Sequence, residues 1–266
     1  QRNAIDESVK QIYGAERFIA TVDEIFLSDS STTIFLPQKE ERKIHRIGVA
    51  FGRGNRFPLT YGNHGNGFVH VFDETSIEIA LSELDTITDF ISFLKETEEF
   101  TTSSKLIFFS GEDLVALYLS NWYFSSKDNL VLIENDIWEG YSKSKEYEIW
   151  KNEKAKSYLW DNIIEILYDS YFQNNLILPM RRKELELALR YMNLETRKAR
   201  IELSNLFLEV IGDGITKPKV QARIIKAENA NSTIYVFMTG PNKNRTQRMK
   251  ELELRTFVAK SLYKDC

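Results

Sequence analysis

The sequence contains a single cysteine, Cys266, at the last of its 266 positions. One thiol can form neither an internal disulfide nor a cysteine-based zinc site. Secreted proteins of this size more often carry disulfides, so the cysteine content favours a reducing, cytoplasmic compartment. No neighbour of this terminal thiol would activate it, and the sequence contains no G-x-S-x-G pattern. We therefore expect neither a cysteine nor a serine nucleophile.

Long apolar stretches are also lacking. No run approaches the ~18 residues that a membrane-spanning helix needs, and residues 1–6 do not resemble a signal peptide. The first residue is not Met, so we expect a trimmed or partial product. With 42% hydrophobic and 28% charged residues, the composition predicts a soluble globular protein with a sizeable core.

The net charge of −4 is unevenly distributed along the chain. Residues 173–266 contain 18 Lys and Arg against 10 Asp and Glu, whereas the preceding residues contain 17 against 29. A basic C-terminal part could bind nucleic acid or another acidic partner. Alternatively, the basic and acidic parts could face each other inside the protein. Both interpretations stay open.

Hydrophobic periodicity predicts strands mixed with helices, without regular alternation of the two. This order favours an α+β fold over a doubly wound parallel sheet. We expect an acidic α+β region over 1–142 and a mostly helical basic region over 143–266, the latter with one long helix at about 181–211 and a β-hairpin near 219–239. The boundary is loosely defined, and a single domain is the alternative.

Three pairs of residues match the capping box, in which two side chains bond free N–H groups of a helix's first turn. The pairs are Thr75 with Glu78, Thr86 with Asp89, and Ser110 with Asp113. They predict three helix starts, and they give these carboxylates a structural explanation.

The three histidines suggest little metal chemistry. His64, His70 and Asp73 could be ligands, but positions 70 and 73 of a straight strand point to opposite faces. A metal site needs three or four converging ligands, and His45 is isolated in the sequence. The sequence alone leaves the metal ligands unknown. The glycines of 62–67 precede a strand rather than a helix, so a flexible connection is the better interpretation than a phosphate-binding loop.

One carboxylate pattern resembles the arrangement of restriction-endonuclease-like nucleases. Glu16 lies on the first predicted helix, Asp23 follows it, and Glu41-x-Lys43 comes 18 residues later. In such a site the acids would hold Mg²⁺ or Mn²⁺, and the lysine would polarise the scissile phosphate or the attacking water. Asp29 could replace Asp23. The weakness is that Glu41 and Lys43 lie in a charge run after Pro37 instead of an apolar strand.

Two clusters of basic residues are candidates for binding nucleic acid or an acidic protein surface. The second cluster begins at Lys243, at the start of a predicted helix. Cations at this end of a helix oppose its dipole, which suggests an anionic neighbour. The candidate binding residues are Arg181, Arg182, Arg190, Arg197, Lys243, Arg245 and Arg248.

Several segments are similar to uncharacterised bacterial proteins associated with defence genes and mobile elements. They are VHVFDETS at 69–76, LDTITDF at 84–90, TIYVFM at 233–238 and ELELR at 251–255. The resemblance implies a bacterial cytoplasmic setting, with a possible antiviral role, and a chain that continues beyond Cys266. It assigns no catalytic residues.

The sequence thus predicts a partner-binding or nucleic-acid-binding protein, with no evident cofactor. The alternative is a metal-dependent nuclease that uses Glu16, Asp23, Glu41 and Lys43. These hypotheses leave open whether the protein is an enzyme, and its oligomeric state.

Overall fold

The structure is a computed structural model. It describes residues 2–26, 33–52, 62–103, 105–107, 110–120, 130–132, 136–173, 182–216, 219–227, 233–241 and 245–263. Within these ranges no helix has both the length and the apolar character needed to cross a membrane.

The fold is α+β, as the sequence predicts. The helices are α1 Arg2–Ile19, α2 Glu74–Glu83, α3 Ile87–Ser103, α4 Gly111–Leu119, α5 Ile137–Ser142, α6 Lys145–Phe172, α7 Arg182–Asn193, α8 Arg197–Thr216 and α9 Arg245–Leu262. The strands are β1 Glu24–Phe26, β2 Thr33–Phe35, β3 Ile47–Ala50, β4 Gly62–Asn63, β5 Phe68–Asp73, β6 Lys105–Ile107, β7 Leu130–Leu132, β8 Gln221–Lys226 and β9 Ile234–Thr239.

The chain divides into two compact units. The first contains residues 1–83 and 90–142, and the second contains 84–89 and 143–266. The short segment 84–89 therefore belongs to the second unit, although the sequence suggests no break there. The reason is local: Asp89 accepts a hydrogen bond from the backbone N–H of Arg197 at 2.7 Å, and Asp85 accepts one from its guanidinium at 2.8 Å.

A three-stranded sheet of order β3-β5-β4 organises the first unit. The central strand β5 is parallel to β3 and antiparallel to β4. Side chains of a strand alternate between its faces. Val69 and Val71 pack with Val9 and Tyr13 of α1. Phe72 lies on the opposite face, where it contacts Phe90 and Phe93 of α3. The β5 strand is therefore covered on both faces.

The second unit is built on α6, α7, α8 and the β8–β9 hairpin. Its core surrounds Trp160, which is 1% exposed and packs with Met192 and Leu203. Tyr235 and Phe237 of β9 contact the Trp160 ring edge-on. Burial of such large side chains is the main stabilising contribution here.

At two of the three predicted helix starts the expected hydroxyl caps the helix. The hydroxyl of Thr86 accepts a hydrogen bond from the Asp89 N–H at 3.1 Å, and that of Ser110 accepts one from the Asp113 N–H at 3.3 Å. The third was wrong. The α2 helix is capped by Asp73, whose carboxylate accepts hydrogen bonds from the N–H and hydroxyl of Ser76.

The long helix expected at about 181–211 is two helices, α7 and α8. A turn at 194–196 separates them, because Thr196 caps α8 by accepting a hydrogen bond from the Ala199 N–H at 3.2 Å. The α8 helix continues beyond position 211 to Thr216, with Gly212 and Gly214 inside it. The periodic apolar stripe continues across the turn and so conceals it.

Candidate metal centre

His70 occupies the middle of the central strand of the first unit. Since it alternates with Val69 and Val71, its side chain lies on the same face as Phe72, towards α3. The residue is 4% exposed, and its ring meets Phe68 edge-on at 4.8 Å between ring centroids. Its Nε2 atom is buried and has no hydrogen-bond partner among the residues that the structure describes.

The neighbouring strand brings His45 to the same face. Ile47 is paired with His70 in the parallel register of β3 and β5, and the His70 N–H donates to the Arg46 carbonyl at 2.8 Å. His45 is two residues before Ile47, so the two side chains share a face. The Nδ1 atom of His45 is buried as well, again without a hydrogen-bond partner in the described part of the chain.

Glu98 of α3 completes the cluster. One ligand atom from each of His45, His70 and Glu98 lies within 4.8 Å of the other two. Glu98 and His45 are partly buried, whereas His70 is buried. Within the described ranges, this is the one group of three or more potential His, Cys, Asp or Glu ligands that converges in this way.

The environment determines the protonation of the buried histidine. Burial, and secondarily the nearby His45, lower the pKa of His70 to about 4. Its imidazole is therefore neutral at neutral pH, and the neutral ring is the form that ligates metals. The His70 ring therefore does not have to lose a proton before it binds an ion.

Two imidazoles and one carboxylate form a ligand set with defined metal preferences. The set occurs in catalytic zinc sites and in the facial triads of non-haem iron proteins. Such ions lie ~2.0–2.2 Å from their nitrogen and oxygen ligands. Separations of up to 4.8 Å between ligand atoms are close to what one ion can bridge after small side-chain rotations. Three protein ligands also leave coordination positions for water or another small ligand.

The residues of the nuclease hypothesis have other contacts. Glu16 forms a two-pronged ion pair with Arg46, with distances of 2.6 and 2.5 Å. This hydrogen-bonded pair lowers the pKa of Glu16, chiefly through the Arg46 side chain. Asp23 is mostly exposed and lies 3.4 Å from the guanidinium of Arg42. Both carboxylates thus have arginine partners.

Glu41 ends a short 3-10 helix at Lys39–Glu41, and both Glu41 and Lys43 are exposed. Neither lies on a strand, which departs from the arrangement that the nuclease pattern requires. Glu16, Asp23 and Glu41 do not form a converging ligand group among the described residues. Asp29, the substitute acid, lies outside those residues. The nuclease hypothesis stays a prediction.

The basic residues differ widely in their exposure. Arg245 is exposed at the start of α9, and Arg190 pairs with Glu186 at 2.6 Å. Arg248 donates to the backbone carbonyls of Gly240 and Pro241. The remaining candidates Arg181 and Lys243, and the side chain of Arg182, lie outside the described residues.

Arg197 requires a correction, because it cannot contribute to an exposed basic surface. It is 3% exposed, and its guanidinium donates to Asp85 at 2.8 Å, to Asp161 at 2.7 Å and to Ser157 at 3.0 Å. The guanidinium also lies 4.8 Å from the centre of the Tyr158 ring. Arg197 therefore belongs to a buried ionic network of the second unit.

The structure does not bring His70 together with His64 and Asp73, the two residues that the sequence placed beside it as possible ligands. Asp73 is occupied in capping α2, and His64 lies outside the converging cluster. His45 comes close to His70 through the parallel pairing of β3 with β5. The sequence does not display this pairing. Glu98 gave no signal of its own, since it is one of several acids on an amphipathic helix.

Comparison with protein-family models, with curated proteins and with solved structures found no match to this chain.

Proposed function

We propose that this protein binds one divalent first-row transition-metal ion through His45, His70 and Glu98. The observation that supports the proposal is the convergence of three ligand groups from three separate chain segments within 4.8 Å. His45 lies just before β3, His70 lies in the middle of β5, and Glu98 is a partly buried residue of α3.

Burial makes the arrangement costly without a ligand. A buried polar atom that has no hydrogen-bond partner costs ~1–3 kcal/mol. His70 Nε2 and His45 Nδ1 are both such atoms within the described residues. A coordinated ion would have one ring nitrogen of each histidine as a ligand, and it would add positive charge beside the Glu98 carboxylate. Packing alone would be served equally well by apolar residues at these positions.

The ligand types favour some ions over others. Imidazole nitrogen suits zinc, copper, iron and nickel, whereas Mg²⁺ and Ca²⁺ prefer sets made of oxygen ligands. We propose zinc or ferrous iron as the biological ion. The site therefore differs in chemistry, as well as in position, from the Mg²⁺ or Mn²⁺ site of the nuclease hypothesis.

The proposal is tested by titrating the metal-free protein with Zn²⁺ and Co²⁺ in a calorimeter. Glu98→Gln keeps the shape of the side chain but removes the charged ligand, and we expect it to weaken binding at least tenfold. Glu99→Gln is the matched control, because Glu99 is the next residue, is exposed and faces Lys95 at 3.7 Å. It should bind as the unmodified protein does.

Equal binding by the unmodified protein and the Glu98→Gln variant would overturn the assignment. Circular dichroism of both variants would establish that neither change unfolds the first unit. The absence of saturable binding by the unmodified protein would refute the proposed function itself.

A further inference from the structure

The last helix of the second unit, α9, packs on the hairpin with one of its sides. It contacts strand β9, and Ala259, which is 1% exposed, lies on the covered side. Arg248, three turns earlier on the same side, donates to the backbone carbonyls of Gly240 and Pro241, just after β9. These contacts determine which side of α9 points away from the hairpin.

The side of α9 that points away is apolar and open to solvent. Leu254, Phe257 and Val258 are between 44% and 69% exposed, and Leu262, one turn after Val258, is 73% exposed. Spacings of three and four residues place such side chains along one side of a helix. We call these four residues the α9 stripe. Exposed apolar patches of this kind commonly mark interaction surfaces.

Two charged residues flank the α9 stripe on one side. Glu253 and Lys260 are both exposed, and neither has an ion-pair partner within the described ranges. They are seven residues apart, which is two helical turns or roughly 10 Å along the axis, so they do not pair with each other. On the other side of the stripe, Glu251 is already paired with Arg255 at 2.6 Å. The flank of Glu253 and Lys260 therefore matches its own copy turned end to end.

We propose that the α9 stripe binds the α9 stripe of a second copy of this chain, with the two helices antiparallel. Equivalent flanks of two antiparallel helices lie side by side with their directions reversed. An arrangement that sets Leu254 opposite Phe257 of the second copy also brings Glu253 of each copy beside Lys260 of the other. Two equivalent ion pairs form, as a two-fold symmetric interface requires.

The charges also select the direction of the second helix. A parallel pair would place Glu253 beside Val258 of the second copy, so it would not use the complementarity of Glu253 with Lys260. The α9 stripe is short, and we expect a weak, reversible dimer of the kind formed by interfaces below about 1,200 Å². The dimer does not depend on the proposed metal site, which lies in the first unit.

Sedimentation velocity of the full chain, without added metal, tests the dimer. Protein concentrations should reach about 200 µM because small interfaces are weak, and the ionic strength should be low because salt screens exposed ion pairs. We expect the unmodified protein to shift reversibly from monomer to dimer. Phe257→Asp should abolish the dimer, since it places two charges between apolar side chains.

Charge reversal tests the antiparallel arrangement. Lys260→Glu puts like charges together at both ends of the interface and should weaken dimerisation about tenfold. Adding Glu253→Lys to this variant restores opposite charges and should restore most of the affinity, which also establishes that the single variant is folded. Lys198→Glu makes the same charge change at an exposed position of α8. This matched control should dimerise as the unmodified protein does.

A chain that stays monomeric at every concentration would overturn the proposal. A dimer that survives Phe257→Asp would show that another surface pairs, and it would overturn the α9 interface. Equal dimerisation of the unmodified protein and Lys260→Glu, or no recovery in the double variant, would overturn the antiparallel arrangement. None of these outcomes bears on metal binding, so the proposed function stands or falls by its own titration.

Discussion

A ring nitrogen of His45 lies within 4.8 Å of one from His70, although the two residues are 25 positions apart in the sequence. The parallel pairing of β3 with β5 brings them together on the sheet face that α3 covers. Each ring has a buried nitrogen without a hydrogen-bond partner among the described residues. This pair, with Glu98 nearby, is the basis of the proposed metal site.

Zinc should raise the thermal unfolding midpoint of the protein. An ion that binds the folded state alone stabilises it by about 2.7 kcal/mol at 100 times its dissociation constant. We expect His45→Ala to abolish most of this shift. His64→Ala is the control, since His64 is another partly buried histidine outside the cluster, and the zinc-induced shift should survive it. Differential scanning fluorimetry with and without Zn²⁺ measures both.

The combined change Glu41→Ala and Lys43→Ala should leave the affinity for Zn²⁺ unchanged. Both side chains are exposed and lie outside the converging cluster, and surface substitutions away from special features usually change stability by less than ~0.5 kcal/mol. Calorimetric titration is the direct check. A parallel gel assay with DNA, RNA and Mg²⁺ or Mn²⁺ tests the nuclease hypothesis: metal-dependent cleavage that this variant loses would support it.

Glu16 should make the protein sensitive to acid. The hydrogen bond from Arg46 is the main cause that lowers the pKa of Glu16. The stability that it contributes is therefore present above the ordinary pKa of 4.5 and is lost as the pH falls through the lowered value. Glu16→Gln should cost about 1 kcal/mol near pH 7.

The difference in unfolding free energy between the protein and its Glu16→Gln variant should shrink below about pH 4.5. Urea denaturation at a series of pH values would follow it. Glu7→Gln, an exposed change on the same helix, should give no comparable difference. A Glu16→Gln effect that stayed constant down to pH 2 would contradict the ion-pair explanation.

Arg197 should stabilise the second unit far more than its neighbour Lys198. Removing one partner of a buried ionic network leaves the other charges without compensation and typically costs 3–5 kcal/mol. We expect a loss of about that size for Arg197→Ala, because Asp85 and Asp161 both bind its guanidinium. Lys198 is exposed, so Lys198→Ala should cost less than ~0.5 kcal/mol. Chemical denaturation monitored by tryptophan fluorescence compares them, and equal losses would contradict the buried network.

Local patterns predicted much of the secondary structure. The apolar spacing of α1, the cap residues Thr86 and Ser110, and the strands of the β8–β9 hairpin all act over a few neighbouring residues, so the sequence displays them directly. The break between α7 and α8 was missed because the apolar stripe does not change across it. Asp73 caps α2 in place of Thr75, and aspartate is the more strongly preferred of the two residue types at a helix N-cap.

Long-range features were not predictable in the same way. The ion pair of Glu16 with Arg46 joins residues 30 positions apart, and the network around Arg197 reaches 112 positions back to Asp85. The proposed metal site depends on strand register and on which face of α3 meets the sheet. Without that register, His45 is an isolated histidine and Glu98 is an ordinary helical acid.

Anomalous diffraction at the zinc absorption edge, from crystals of the zinc-loaded protein, is a direct test of the proposed metal site. We expect one strong peak about 2.0–2.2 Å from a ring nitrogen of His45, a ring nitrogen of His70 and a carboxylate oxygen of Glu98. A zinc peak at other residues, or none at these three despite saturating zinc, would contradict it.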